Sequence, residues 1–357
     1  MSANGLAADL IRAARITDGP ALGMLSRQVH ASADSHRRSL GVPAPPASQP
    51  RIEMSTLIPS WLPLRAPSLH LVADGDGTLL GSSRAIEEPR RADWVVIELD
   101  ALPGAQAQEV RWQLLNSLIA EAAGRNVPRL FAACADVPEN AELFGQAGFA
   151  AYAQEEILYR PPESDRGGGG WFRGWRRADG RAGSLAPLPT AKPAPTLQPA
   201  NPADAWHLFD LWSHSTPPAV ARMEGYAAAD WQDAGHEGVV PRSSLNPLLH
   251  FQSVNGWLNP ADQRAAGFAQ HGACREGPGY LRFFVRDGSD GSAFLTAVLA
   301  GLSADARAAG ILSPVRTYEH AGLQAATDVG FEPVGRVTMM VREVLGRVRA
   351  PALVPAI

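Results

Sequence analysis

Apolar positions along the 357-residue chain follow two periods in alternation. In the first half, residues 69–73 and 78–81 are short apolar runs flanking Asp74-Gly-Asp-Gly77, a hairpin signature. Residues 94–99 form a β-branched apolar run that reads as a strand. Val110, Leu114, Leu115, Leu118 and Ile119 then fall at helical spacing, predicting a helix over 106–123 with Gly124 as its C-terminal glycine. A strand over 127–134, a helix over 139–147 and a strand over 156–159 complete the half. The second half repeats the order. Strands are expected at 264–269, 280–285, 314–318 and 337–341, with helices over 292–309 and before Gly330. Each half thus predicts a mixed α/β fold, a largely antiparallel sheet flanked by helices.

The halves also share residues. Asp18, Leu22 and Leu25 recur at the same spacing as Asp204, Leu208 and Leu211, each set behind a short strand. The aspartates are expected to act as N-caps of amphipathic helices. Near the end of each half, Gly148-Phe149 and Gly330-Phe331 stand between a helix and a strand. The chain reads as an internal duplication.

Composition places the joint. Gly and Pro contribute 34 and 30 residues, and many cluster between Arg160 and Thr196, where neither period survives. The expected division is a first domain at 1–160, a linker at 161–196, a second domain at 197–347 and a tail at 348–357. A hydrophobic fraction of 45% supports packed cores and argues against a disordered chain. The net charge of −4 supplies no general attraction for nucleic acid or anionic lipid. Cys134 and Cys274 lie far apart, and neither they nor the nine histidines show metal-ligand spacing. No metal is expected. The start of the chain lacks a basic-then-apolar leader and no run is long enough to span a bilayer, so a cytoplasmic protein without a membrane partner is expected.

The element order, opening with a strand, an Asp and a helix and closing with helix, Gly-Phe and strand, resembles the GNAT acyltransferase superfamily. The resemblance covers both halves and omits the linker. It implies an N-acyltransferase that passes an acyl group from acetyl-CoA or another acyl-CoA to a small-molecule or peptide amine. In such proteins, the amides opening a long helix hold the cofactor pyrophosphate, because unpaired N–H groups and the helix dipole favour an anion. Ala101, Pro103 and Gln106 match three positions of the family's loop, so Leu99, Ala101, Gln106, Ala107, Gln108 and Arg111 are the expected cofactor-facing residues. The family's loop glycines are replaced by Glu109 and Arg111, and Asp290 precedes the equivalent helix of the second half. A tyrosine that would return a proton to the departing thiolate is replaced by Phe144 in one half and Ala326 in the other. Glu98 and Asp100, on the central strand, are the candidate bases. Tyr318, Glu319 and His320 form a possible replacement acid/base group. These departures support an alternative: a non-catalytic protein that uses the same scaffold for binding or interaction.

Two other signals compete. Asp74-Gly-Asp-Gly-Thr-Leu79 matches the nucleophile motif of haloacid dehalogenase-like phosphatases, which also need a downstream lysine. The only lysine is Lys192, inside the linker, so a hairpin turn is the better reading. The Trp171–Arg177 segment mixes aromatic and basic residues, a pattern that stacks on nucleic acid or, more commonly, packs back on a domain.

Overall fold

A computed structural model describes residues 11–43, 68–75, 77–88, 91–162, 195–234, 242–261, 264–275 and 277–344. The linker segment 163–194, with Trp171–Arg177 and Lys192, lies outside the described residues, as does the tail 348–357. The chain forms two compact units, one of residues 1–41, 50–151 and 340–357, the other of 42–49 and 152–339.

In the first unit, β1 (Ile11–Ala13), β2 (Ser68–Gly75), β3 (Thr78–Glu87), β4 (Trp94–Ala101) and β5 (Arg129–Ala135) stand side by side in chain order. The first four are antiparallel, and β4 to β5 is parallel. Among the described residues, the helices that accompany them are α1 (Gly19–Val29), α2 (Ala33–Arg38), α3 (Ala107–Gly124) and α4 (Pro138–Gln146). The apolar stripe of α3 is buried as its spacing predicts, and the helix approaches β3 closely at Gly81. A Cβ there would lie 2.6 Å from the Asp100 carbonyl oxygen and 2.7 Å from Val110.

The second unit contains β6 (Ala150–Arg160) from Tyr152 onward, β7 (Gln198–Pro199), β8 (Phe251–Ala261), β9 (Arg264–Cys274), β10 (Gly279–Val285) and β11 (Ile311–Arg316). Their order is β6-β11-β10-β9-β8-β7, with β10 and β11 the parallel pair. The helices are α5 (Ala205–Ser215), α6 (Pro218–Glu224), α7 (Gly291–Gly301), α8 (Ala304–Ala308) and α9 (His320–Asp328). Its core joins Phe283, Phe294, Leu295, Val298, Ile311, Val315, Ala326 and Phe331. Gly267 faces Phe294 of α7 as Gly81 faces Val110 of α3, so one close approach of helix to strand occurs in each unit.

The last strands depart from the chain halves. Most of β6 belongs to the second unit, where it pairs antiparallel with β11 from Glu155↔Arg316 to Arg160↔Ile311. Conversely, the end of β12 (Glu332–Glu343) belongs to the first unit. There the Val344 amide donates to the Pro128 carbonyl at 2.8 Å, and Arg342 donates to the Ala147 carbonyl.

Several local expectations change. Asp18 and Asp204 are not side-chain N-caps of α1 and α5; their carboxylates reach back three residues to the amides of Arg15 (2.7 Å) and Asn201 (2.9 Å). The reason is a short 3-10 turn before each helix, whose first amide otherwise lacks a partner. Gly124 is the last helical residue of α3, and the left-handed conformation falls two residues later on Asn126, at φ 57°. The helix expected over 292–309 breaks at Leu302, because the Ser303 hydroxyl caps a new helix through the Ala306 amide. Asp74 is a turn residue, accepting from the Gly77 amide and paired with Arg12 at 2.8 Å. The phosphatase-like motif is therefore a hairpin.

Replacement Gly81→Ala drives a methyl into the Asp100 carbonyl, and urea unfolding is expected to show a loss of about 1–3 kcal/mol.

Candidate functional site

Parallel pairing of β4 with β5 runs through Trp94↔Leu130, Val95↔Phe131 and Val96↔Ala132, and then stops. Beyond it the strands part, and continuation of the register would have set Leu99 opposite Ala135. The chain segment after α2 takes up that opening. The Ser39 hydroxyl lies 3.2 Å from the Leu99 carbonyl of β4, while the Leu40 carbonyl accepts the Ala135 amide of β5 at 2.6 Å. Gly41, at φ +65°, brings its Cα so close that a Cβ would meet Ala135 Cβ at 2.8 Å. Ser39 and Leu40 are both buried.

Arg111 holds the segment from the other side. It is 3% exposed, and its Nη2 donates to the Ser39 carbonyl at 3.0 Å and to Asn140 Oδ1 at 2.8 Å. Asn140 in turn donates to the Arg37 and Ala135 carbonyls. Burial lowers the Arg111 guanidinium to about 10, against the raising influence of Cys134, Asp100 and Glu139.

The expected cofactor-facing residues are therefore in different surroundings. Leu99 and Ala101 are buried in β4, and Arg111 is occupied within the fold. Gln106 and Gln108 are exposed at the start of α3, with Ala107 half-buried. The Gln106 side chain does not cap the helix, and Gln108 donates to the Glu139 carbonyl at 3.2 Å. Glu109 is exposed and accepts from Gln113. Ser39 and Leu40 thus fill the opening beside Leu99, and these residues do not fit acetyl-CoA as they stand.

The two candidate bases share one face of β4, as residues two apart on a strand must. Glu98 accepts from the Ser82 hydroxyl and lies 3.7 Å from His70 Nε2. Burial pushes its carboxyl up, but His70, Arg84 and Ser82 outweigh this and hold it well below the usual range. Asp100 contacts the Ser39 hydroxyl, and its Oδ2 is 3.8 Å from His30 Nε2. Burial, reinforced by the charge on Glu98, pushes Asp100 up to about 7. His30 Nδ1 lies 2.7 Å from His36 Nδ1, so one ring donates and the other accepts. Ser39, His30 and His36 gave no spacing signal, since three separate elements bring them to β4.

In the second unit, β10 and β11 pair at Gly279↔Ile311 and Tyr280↔Leu312, then part. The Ser313 hydroxyl spans the gap to the Leu281 carbonyl at 2.7 Å. At the start of α7, the Asp290 carboxylate accepts the Ala293 amide, one that an anion would otherwise use. Ser292 donates to Asp328 at 2.6 Å, tying α7 to α9, and a Cβ on Gly291 would meet Ala325 at 2.9 Å.

Tyr318, Glu319 and His320 do not converge as an acid/base group. Glu319 is bound by both Nη atoms of Arg282, one at 2.8 Å and one at 2.5 Å, while His320 is exposed and burial raises Tyr318. Arg316, 1% exposed, pairs with Glu224 at 2.6 Å and Glu155 at 3.3 Å. The sequence did carry a signal for this network: Arg282 interrupts the apolar run Tyr280 to Val285. Phe144 and Ala326, at the two proton-donor positions of the resemblance, are fully buried, with Phe144 edge-on to Phe149. Among the described residues, no group of three or more His, Cys, Asp or Glu is arranged to hold a metal ion, and no helix is long and apolar enough to cross a membrane.

Removal of the Arg111 guanidinium by Arg111→Met strands the Ser39 carbonyl and Asn140 without their buried donor. Urea unfolding is expected to show a loss of about 2–4 kcal/mol.

No protein-family model and no curated protein matches the sequence. Solved structures do. A tandem GNAT protein from the clavulanic acid biosynthesis pathway, solved without acetyl-CoA, superposes with a TM-score of 0.53 at 14% identity, over 94% of this chain and 98% of that one. A GCN5-related N-acetyltransferase from Sphaerobacter thermophilus gives 0.48 at 13% identity, over 94% and 96%. The similarity is one of fold, and it takes in both units. The chain has the tandem-duplicated fold of the GNAT superfamily.

Proposed function

We propose that this chain is a ligand-binding or interaction protein on a tandem acyltransferase scaffold, and that it does not transfer acyl groups. The observation that carries this reading is the placement of Ser39 and Leu40 between Leu99 and Ala135. A thioester arm entering there would have to displace buried backbone whose hydrogen bonds are already made, with Arg111 and Asn140 fastened to it. The second unit supports the same reading through Asp290, which puts a negative charge and an accepting oxygen at the amides of α7. Neither proton-donor position has an acidic side chain, as Phe144 and Ala326 show.

A second reading, acyl transfer by the first unit to a small-molecule or peptide amine, is favoured by one observation. Asp100, pushed up to about 7, has the proton affinity of a base suited to neutral pH. It is buried against the Ser39 hydroxyl, however.

Calorimetric titration of the whole chain with acetyl-CoA, and with a longer acyl-CoA, separates the two. No heat of binding up to millimolar ligand is expected. Micromolar binding, about −8 kcal/mol, overturns the filled opening on which the proposed reading rests.

A further inference from the structure

Ser39 has one hydroxyl hydrogen and two acceptors within reach, the Leu99 carbonyl and Asp100 Oδ1. If Ser39 donates to Asp100, the buried Leu99 carbonyl loses this donor. If it donates to Leu99, Ser39 Oγ and Asp100 Oδ1 meet with no hydrogen between them unless the carboxyl carries one. A proton on Asp100 resolves both: Asp100 donates to Ser39 Oγ, and Ser39 donates to Leu99.

We propose that protonated Asp100 is the lock that keeps the Ser39–Gly41 segment in the opening between β4 and β5, and that loss of this proton loosens the segment. The proposal rests on the reading that the segment occupies the opening, and it adds what controls that occupancy.

The charges facing Asp100 are consistent with a retained proton. Glu98 is on the same strand and carries the compensating negative charge of the site, with Arg84 of β3 opposite it and His70 of β2 beside it. Arg111 of α3 spends its donors on Ser39, Asn140 and Gln108; its charge and the Ser39 hydrogen bond pull Asp100 down, but less than burial and Glu98 push it up. His30, at the end of α1, is lowered by burial against the opposing pull of Glu98. His36 of α2 contacts His30, and the Cys134 thiol of β5 is raised to about 12 by burial. Burial and Glu98 raise Asp100 to about 7 in the closed form.

The sign follows from linkage. The closed form binds the Asp100 proton more tightly than an opened, hydrated form, in which the carboxyl returns to its ordinary range near 4. Opening is therefore suppressed in acid, increases as pH rises between these two values, and levels off above about 7.

The Ala135 amide reports the lock, because its acceptor is the Leu40 carbonyl. Hydrogen exchange of the whole chain, followed by NMR from pH 5 to 8 and corrected for intrinsic exchange, is expected to show Ala135 protection falling roughly tenfold per pH unit up to about pH 7. Above that it should level off. The amide of Leu115, buried in α3, marks global unfolding and should be better protected throughout. The Asp100→Asn variant supplies a permanent donor, and its profile should be flat. A pH-independent Ala135 in the unaltered chain, or one that exchanges only as slowly as Leu115, overturns the lock. An Ala135 without protection even at pH 5 overturns the occupancy itself.

Discussion

Backbone groups that leave a ladder inside a protein must find other partners. In the first unit that requirement arises at Val96 and Ala132, where β4 and β5 stop pairing. The Ala135 amide and the Leu99 carbonyl are then left facing an opening, and a protein of this fold has two ways to satisfy them. An extended ligand can complete the sheet edge, or the chain can do so itself. Here the chain does, through the Leu40 carbonyl and the Ser39 hydroxyl. The burial of Arg111, the position of Asn140 and the positive φ of Gly41 all serve that one closure.

The second unit meets the same parting of strands with different chemistry. Ser313 spans the gap, and the residue on β10 in register with Glu98 of β4 is Arg282. A buried guanidinium there needs a carboxylate, and Glu319 at the start of α9 supplies it with both oxygens. Arg316 is compensated in the same manner by Glu155 and Glu224. Removing one partner of such a pair costs far more than the pair itself contributes, because an isolated charge would remain in the interior. The cluster is thus better understood as fixing the positions of α6, α9 and β6 than as a source of net stability.

Duplication explains which devices recur and which do not. The backward-reaching aspartates, the close approaches at Gly81 and Gly267, and the Gly-Phe steps before β6 and β12 are geometric requirements of one fold, met twice. Residues at the two partings are under no such requirement and differ, with Ser39 and Arg111 at one and Ser313 and Arg282 at the other. Most of β6, which closes the first half of the sequence, instead pairs with β11 within the second unit.

Period, turn chemistry and the Asp, Leu and Gly-Phe repeats made the element order, the duplication and the mixed α/β class legible in the sequence, because these depend on neighbours a few residues apart. The same local reasoning erred at Ser303 and the two repeated aspartates, where a competing hydrogen bond decided the end of a helix, and at Gly124, where the left-handed residue is Asn126 instead. Glu98 and Asp100 were recognisable as a pair on one strand face, since alternation alone sets that. Whether Asp100 is a free base was not recognisable. That depends on Ser39, His30 and Arg111, which are 61, 70 and 11 residues away along the chain and carry no pattern of their own. The sequence by itself determined a doubled scaffold. Only the tertiary structure decided that the opening is filled by the chain, because closure is a matter of which distant backbone groups meet inside a folded sheet.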